Sequence, residues 1–178
     1  YPDLNIEGNE YAFTLSYGLC DSLRYLGEWL PQNGFKKIGV SGSFNDAGYG
    51  FLEVFEGALY GSGGEFSGHY TPPLNPRPDE AQFLKEFYQN VESDAVCQIY
   101  NGVFAEENID YLESLKDGIK TPLFFMPFAL NKEQMSRVSA ISDDFYIAAS
   151  WLPLSLTGEP TDFENAYFGR YDDYPSAS

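Results

Sequence analysis

The chain has 178 residues, 43% of them hydrophobic and 17% aromatic, a balance that excludes disorder and fits one globular domain. Its formal net charge of −17 repels phosphate backbones and anionic lipid surfaces, so neither nucleic acid nor a membrane surface is expected as a partner. No stretch approaches the roughly 18 apolar residues of a membrane-spanning helix, so direct membrane insertion is not expected.

Strand-like and helix-like segments alternate, with a strand about every 25–30 residues, the period of a βα unit. The first helix is predicted from Asp21, as N-cap, to Gln32. Leu23, Leu26 and Leu30 form its buried stripe and Asn33-Gly34 stops it. A strand follows over Lys37–Ser41. The second helix carries Phe51, Val54, Phe55, Ala58 and Leu59 at helical spacing and ends at Gly61-Ser62-Gly63-Gly64. Glu65–Tyr70 reads as the second strand, closed by Thr71-Pro72-Pro73.

Asp79 is expected to cap a third helix bearing Phe83, Leu84, Phe87 and Val91. The third strand spans Asp94–Tyr100, with the apolar centre Ala95-Val96-Cys97 of a strand buried on both faces. A fourth helix covers Ala105–Lys116, with Ile109, Leu112 and Leu115 inward and Gly118 at its exit. Leu123–Met126 is the fourth strand. Asn131 and Gln134 resemble a capping pair for a short fifth helix with Met135 and Val138, and Phe145–Ala149 is the fifth strand. Thr161 and Glu164 form a capping box for a last helix bearing Phe163, Tyr167 and Tyr171. The fold class is therefore α/β: a three-layer αβα lobe around a mostly parallel five-stranded sheet of flavodoxin-like type.

In such a sheet, ligands bind beyond the carboxyl ends of the strands, near the switch in strand order. The loops there hold Phe44, Asn45, Asp46, Tyr49, Tyr100, Asn101, Phe104, Met126 and Phe128. This aromatic, mostly neutral set suits contact with a small organic ligand better than bond-breaking. Tyr100 is also readable as a strand-end residue with its hydroxyl in water, and Phe44, Phe104 and Phe128 as plugs over the sheet end.

Catalytic alternatives lack their parts. There is no GxxxxGK(S/T) loop and no GxSxG elbow. The one histidine, His69, reads as an ordinary strand residue, and no His, Cys or Glu group has metal spacing. Asp46 follows the first strand, whereas a receiver domain places its phosphoacceptor after the third, where Asn101 stands. Asp46 reads instead as a helix N-cap or loop carboxylate. Cys20 and Cys97 have no metal or redox spacing; Cys97 reads as a buried hydrophobe, and whether the two are bonded is left open. The chain starts Tyr1-Pro2-Asp3 and closes on Tyr174-Pro175-Ser176-Ala177-Ser178, which suggests a piece of a longer protein.

Lys37-Ile38-Gly39-Val40 leading into Asp46-Ala47-Gly48-Tyr49-Gly50 resembles the strand, loop and Tyr-Gly helix start of the type 1 periplasmic binding proteins, the branched-chain amino acid binding proteins of ABC transporters and their relatives. The likeness continues through Gly63-Gly64-Glu65, Tyr70-Thr71-Pro72, Ser93-Asp94-Ala95-Val96, Tyr100-Asn101-Gly102 and Gly118-Ile119-Lys120-Thr121-Pro122. Phe13-Thr14-Leu15-Ser16 resembles the crossover strand into the second lobe. Phe163, Tyr167, Tyr171, Pro175 and Ser176 resemble the return toward the first.

The resemblance covers nearly the whole chain but only one lobe of the family. It implies a two-lobed receptor that clamps a small-molecule solute, with no cofactor and no enzymatic activity. It also implies a first lobe of the same protein and an ABC transporter permease as partners, in a periplasmic or extracellular setting. Tyr49 would contact the ligand, as would the group Tyr100, Asn101 and Phe104. The family's loop after the fourth strand carries an acid that pairs with a ligand ammonium. Here that loop reads Phe125-Met126-Pro127-Phe128-Ala129, so a more apolar or aromatic ligand is expected. A sensor module of the same fold, and a flavodoxin-like enzyme or phosphoacceptor, are the other classes open to this sequence.

Overall fold

The computed structural model describes residues 19–43, 45–73, 77–101, 103–115, 119–126, 130, 132–148 and 159–173. The expected crossover strand Phe13–Ser16, Phe44, Gly102, Gly118, Phe128, Asn131 and the stretch Pro175-Ser176 lie outside them. By internal contacts the chain divides into two units, Tyr1–Ala148 and Ala149–Ser178.

The first unit runs α1 (Leu19–Gln32), β1 (Lys37–Gly42), α2 (Asp46–Gly61), β2 (Glu65–Tyr70), α3 (Glu80–Asn90), β3 (Ala95–Ile99), α4 (Val103–Leu115), β4 (Leu123–Phe125), α5 (Lys132–Ile141) and β5 (Phe145–Ile147). All five strands are parallel, in the order β2-β1-β3-β4-β5. The sheet is thus wholly parallel, and its order reverses between β1 and β3. Each crossover carries a helix, which is what parallel neighbours require.

β3 is buried at every position and β1 from Ile38 onward, as central strands covered on both faces must be. On one face lie α1 and α2: Trp29 and Phe35 meet Phe124 of β4, and Phe55 stacks on Phe66 of β2. On the other lie α3, α4 and α5: Phe87 meets Tyr70, and Tyr88 and Asn108 both bond Gln98 of β3. The three layers expected from the alternation are present. The β1–β2 ladder breaks register once, between Ile38 and Gly39, so that Ser67 of β2 is passed over and His69 stands opposite Val40.

The helical stripes bury much of what their spacing said they would, but Val54 and Ala58 of α2 and Phe83 and Phe87 of α3 are only half-buried, and Val91 lies just past the end of α3. Leu23, Leu26 and Leu30 of α1, Phe51, Phe55 and Leu59 of α2, and Ile109, Leu112 and Leu115 of α4 are in the core. α1 and α2 cross closely at Gly27, where a Cβ would come within 2.8 Å of the Phe55 carbonyl oxygen. Gly34, at φ +94°, supplies the left-handed residue after α1. Cys20 and Cys97 are buried free thiols.

Three expected caps are corrected. Asp21 is the third residue of α1 rather than its N-cap, because the helix already runs from Leu19. The N-cap of α2 is Asn45, not Asp46, which is the first helical residue. Asp79 does hold the N-cap position of α3 but makes no side-chain capping bond; the neighbouring Glu80 carboxylate instead accepts from the backbone N–H and Nε of Arg77. At β3 the acid Asp94 lies just before the strand. Its Oδ2 accepts from the backbone N–H groups of Lys36 and Lys37 at 2.8 and 2.9 Å, tying the start of β1 to that of β3.

The second unit contains α6 (Asp162–Tyr171). Its capping box is formed as the sequence indicates: Glu164 N–H donates to Thr161 Oγ1, and the Glu164 carboxylate accepts from Thr161 N–H. Phe163, Tyr167 and Tyr171 follow each other at four-residue spacing with ring centroids 6.0 and 4.6 Å apart.

Candidate solute-binding site at the sheet switch point

The loops leaving β1 and β3 sit side by side at the carboxyl end of the sheet, where strand order reverses. The backbone sets their spacing first: Ser43 N–H donates to the Ile99 carbonyl at 3.0 Å. Asn101 N–H then donates to Ser43 Oγ at 3.1 Å. Above these bonds Asn45 and Asn101 exchange amides, Asn45 Nδ2 donating to Asn101 Oδ1 at 3.1 Å and Asn101 Nδ2 donating back to Asn45 Oδ1 at 3.4 Å. Asn45 Oδ1 also accepts from Gly48 N–H at 2.7 Å, so one side chain both caps α2 and clasps the loop after β3. Gly48 must lack a side chain, because a Cβ there would lie 2.3 Å from the Ser43 carbonyl oxygen.

This double duty makes a prediction. Asn45→Ala should lower stability by about 1 kcal/mol through loss of the cap, read as a lower urea midpoint. Asn45→Asp keeps the acceptor for Gly48 and should fall between wild type and alanine.

The site residues expected from sequence separate into groups. Asn45 and Asn101 are brought together. Tyr49, on the first turn of α2, is 45% exposed beside them. Phe104 is half-buried in the first turn of α4 and packs on the core. Tyr100 and Met126 are 2% and 1% exposed and lie beneath the edge rather than on it. The reading of Tyr100 as a residue with its hydroxyl in water is corrected. That hydroxyl is hydrogen-bonded to Ser41 Oγ across the β1–β3 pair, and burial pushes its pKa well up, with the Ser41 bond offsetting part of the rise. It is a neutral strut. Phe44 and Phe128 lie outside the described residues.

Below Tyr100 the same face carries a second buried chain: Gln98 Nε2 donates to Tyr88 Oη at 2.6 Å, and Asn108 Nδ2 donates to Gln98 Oε1 at 3.0 Å. Sequence reasoning missed this network. Its signals were Leu84 and Tyr88 four residues apart on α3, and Gln98 inside an otherwise apolar strand. It missed Ser43 too, which a loop position alone does not distinguish.

Chemically the edge offers neutral amides, a hydroxyl and aromatic surface. The buried Cys97 thiol is held in its neutral form by desolvation, which removes it as a nucleophile. Among the described residues no group of three His, Cys, Asp or Glu is placed to hold a metal, and no helix is long and apolar enough to cross a membrane.

Strand order and layering define the class first: an open, wholly parallel, flavodoxin-like α/β lobe. Comparison with solved structures then gives the particular architecture. The chain is similar to the protein described as a branched-chain amino acid ABC transporter from Rhodospirillum rubrum, with a TM-score of 0.73 at 16% identity over 90% of this chain and 45% of that one. It is similar to the solute-binding protein of an ABC transporter from R. palustris in complex with benzoate, with a TM-score of 0.66 at 20% identity over 91% and 44%. A fatty acid ABC transporter substrate-binding protein from Thermomonospora curvata matches at a TM-score of 0.61 and 18% identity, over 91% and 42%. The chain thus has the fold of a lobe-sized part of ABC transporter solute-binding proteins, and it spans less than half the length of these structures. No protein-family model and no curated protein matches the sequence.

Proposed function

We propose that this chain forms one wall of a two-lobed, extracytoplasmic solute-binding receptor, closing on a small organic solute and handing it to an ABC transporter permease. The observation that carries this reading is the fold match over nine-tenths of the chain to solute-binding proteins, joined to a switch-point edge built for contact rather than reaction. Asn45, Tyr49, Asn101 and Phe104 are the contact residues on this wall, with Phe44 and Phe128 expected beside them. Tyr100 and Met126 support them from below. A first lobe of the same protein supplies the facing wall.

The solute is apolar or aromatic in body. The loop after β4, Phe125-Met126-Pro127-Phe128-Ala129, has no acid to pair with a buried ammonium, and the nearby Asp46 is exposed to solvent at the start of α2. The neighbours from R. palustris and T. curvata, which carry benzoate and a fatty acid in their descriptions, agree with that chemistry. The test is titration calorimetry on the full two-lobed protein with benzoate, decanoate and leucine. Saturable binding of benzoate or decanoate tighter than that of leucine is the expected result. Preferential leucine binding would overturn the apolar assignment, and no binding of any solute would overturn the receptor reading.

A further inference from the structure

Resting on that receptor reading, we propose that the Asn45–Asn101 clasp is the specificity element of this wall: it selects solutes whose polar end carries an acceptor oxygen of carbonyl type, and it does so without a charge. A single backbone proton sets the clasp. Gly48 N–H can only donate, so the Asn45 atom 2.7 Å from it is the amide oxygen, and the other arm of that amide is Nδ2. Nδ2 donates, so the Asn101 atom 3.1 Å away is Oδ1. The remaining arm of Asn101 is then Nδ2, which donates back to Asn45 Oδ1 at 3.4 Å. The start of α2 thus dictates how both amides face.

The hydrogen-bonding capacity left over is lopsided. An asparagine amide has two N–H donors and two acceptor lone pairs. Asn45 Oδ1 has both lone pairs engaged, by Gly48 and by Asn101. Asn101 Oδ1 has one engaged, and each Nδ2 has one N–H engaged. The pair therefore offers a solute two N–H donors against one lone pair. Both side chains are half-buried at the switch-point edge beside the exposed Tyr49, so a solute held there meets a surface richer in donors than in acceptors.

A solute that covers the clasp takes water from it. Donors left unpaired by that step weaken binding, and a carbonyl oxygen, with two lone pairs, can answer them. An ammonium only donates, and finds one lone pair for its three protons. Formal negative charge is not what the clasp rewards. Neither amide is charged, the flanking Asp46 is an exposed acid, and the chain carries a net charge of −17.

The experiment is titration calorimetry on the two-lobed protein with acetophenone and α-methylstyrene, which share a shape and differ by C=O against C=CH2, and with benzylamine as the donor-only probe. Wild type should bind acetophenone about tenfold tighter than α-methylstyrene, the worth of one neutral hydrogen bond, and benzylamine more weakly than either. Asn101→Asp keeps the oxygen that Asn45 Nδ2 needs but replaces the donor arm with an acceptor. It should bring acetophenone and α-methylstyrene to within about twofold of each other and make benzylamine the tightest of the three. A loosened loop would not produce that reversal of order. Equal wild-type affinity for acetophenone and α-methylstyrene, or an Asn101→Asp variant that weakens all three by the same factor, would sink the inference and leave the receptor reading in place. If none of the three binds but benzoate or decanoate does, the inference falls and the receptor reading stands; if no solute binds at all, both fall.

Discussion

Phe55→Ala should cost about 3–5 kcal/mol, a large share of the roughly 5–15 kcal/mol that keeps most single domains folded. Phe55 is fully buried at the centre of α2, stacks on Phe66 at 6.1 Å, and its backbone carbonyl is the floor on which Gly27 of α1 rests. A cavity here cannot collapse easily, because the helix above and the strand below are held by their own hydrogen bonds. Urea unfolding followed by far-ultraviolet circular dichroism checks it. A loss below about 1 kcal/mol would mean that the α1–α2 layer repacks freely.

The second large effect falls on the site. Gly48→Ala adds a single methyl group, and helix propensity alone would make the change favourable by about 1 kcal/mol. The geometry reverses the sign. The new Cβ would stand 2.3 Å from a backbone oxygen of Ser43, which cannot swing away as a side-chain end would. Ser43 is itself bonded to Ile99 and Asn101, so relief of the clash must pull the loop after β1 away from the loop after β3. The expected result is a net loss of about 1–3 kcal/mol, typical of overpacking. It comes with at least a tenfold loss of solute affinity in the two-lobed protein, with far-ultraviolet dichroism unchanged. Unaltered affinity would show that the two loops bind independently.

Much of the fold is legible in the sequence because it is locally encoded. The stripe Phe51, Phe55 and Leu59 repeats with the helical period, Ala95-Val96-Cys97 is apolar throughout, and Thr161 with Glu164 spells a cap within four residues. The errors fall where two neighbours share a chemistry. Asn45 and Asp46 are equally good caps on propensity, and the choice went to Asn45 because its amide can also reach Asn101, 56 residues away.

Tyr100 departs from the reading with its hydroxyl in water for the same kind of reason. Whether a tyrosine hydroxyl at a strand end meets water or a partner depends on the strand beside it, and Ser41 is 59 residues distant. The site's general position was readable from the βα period, since sheet topology alone puts ligands at the switch point. Its membership was not. Burial of Met126 and the clasp through Ser43 are products of packing between segments far apart in the chain.

The passed-over residue in β2 has a consequence for which layer His69 serves. With unbroken register Gly68 would stand opposite Val40 and His69 opposite Ser41, on the side of the sheet that faces α3 and α4. One additional residue, Ser67, turns the imidazole through the sheet to the α2 side. Deleting it would remove no ring and no charge from the molecule. It would send the only histidine to the opposite layer, so the address of this side chain is written in the length of the strand rather than in its identity.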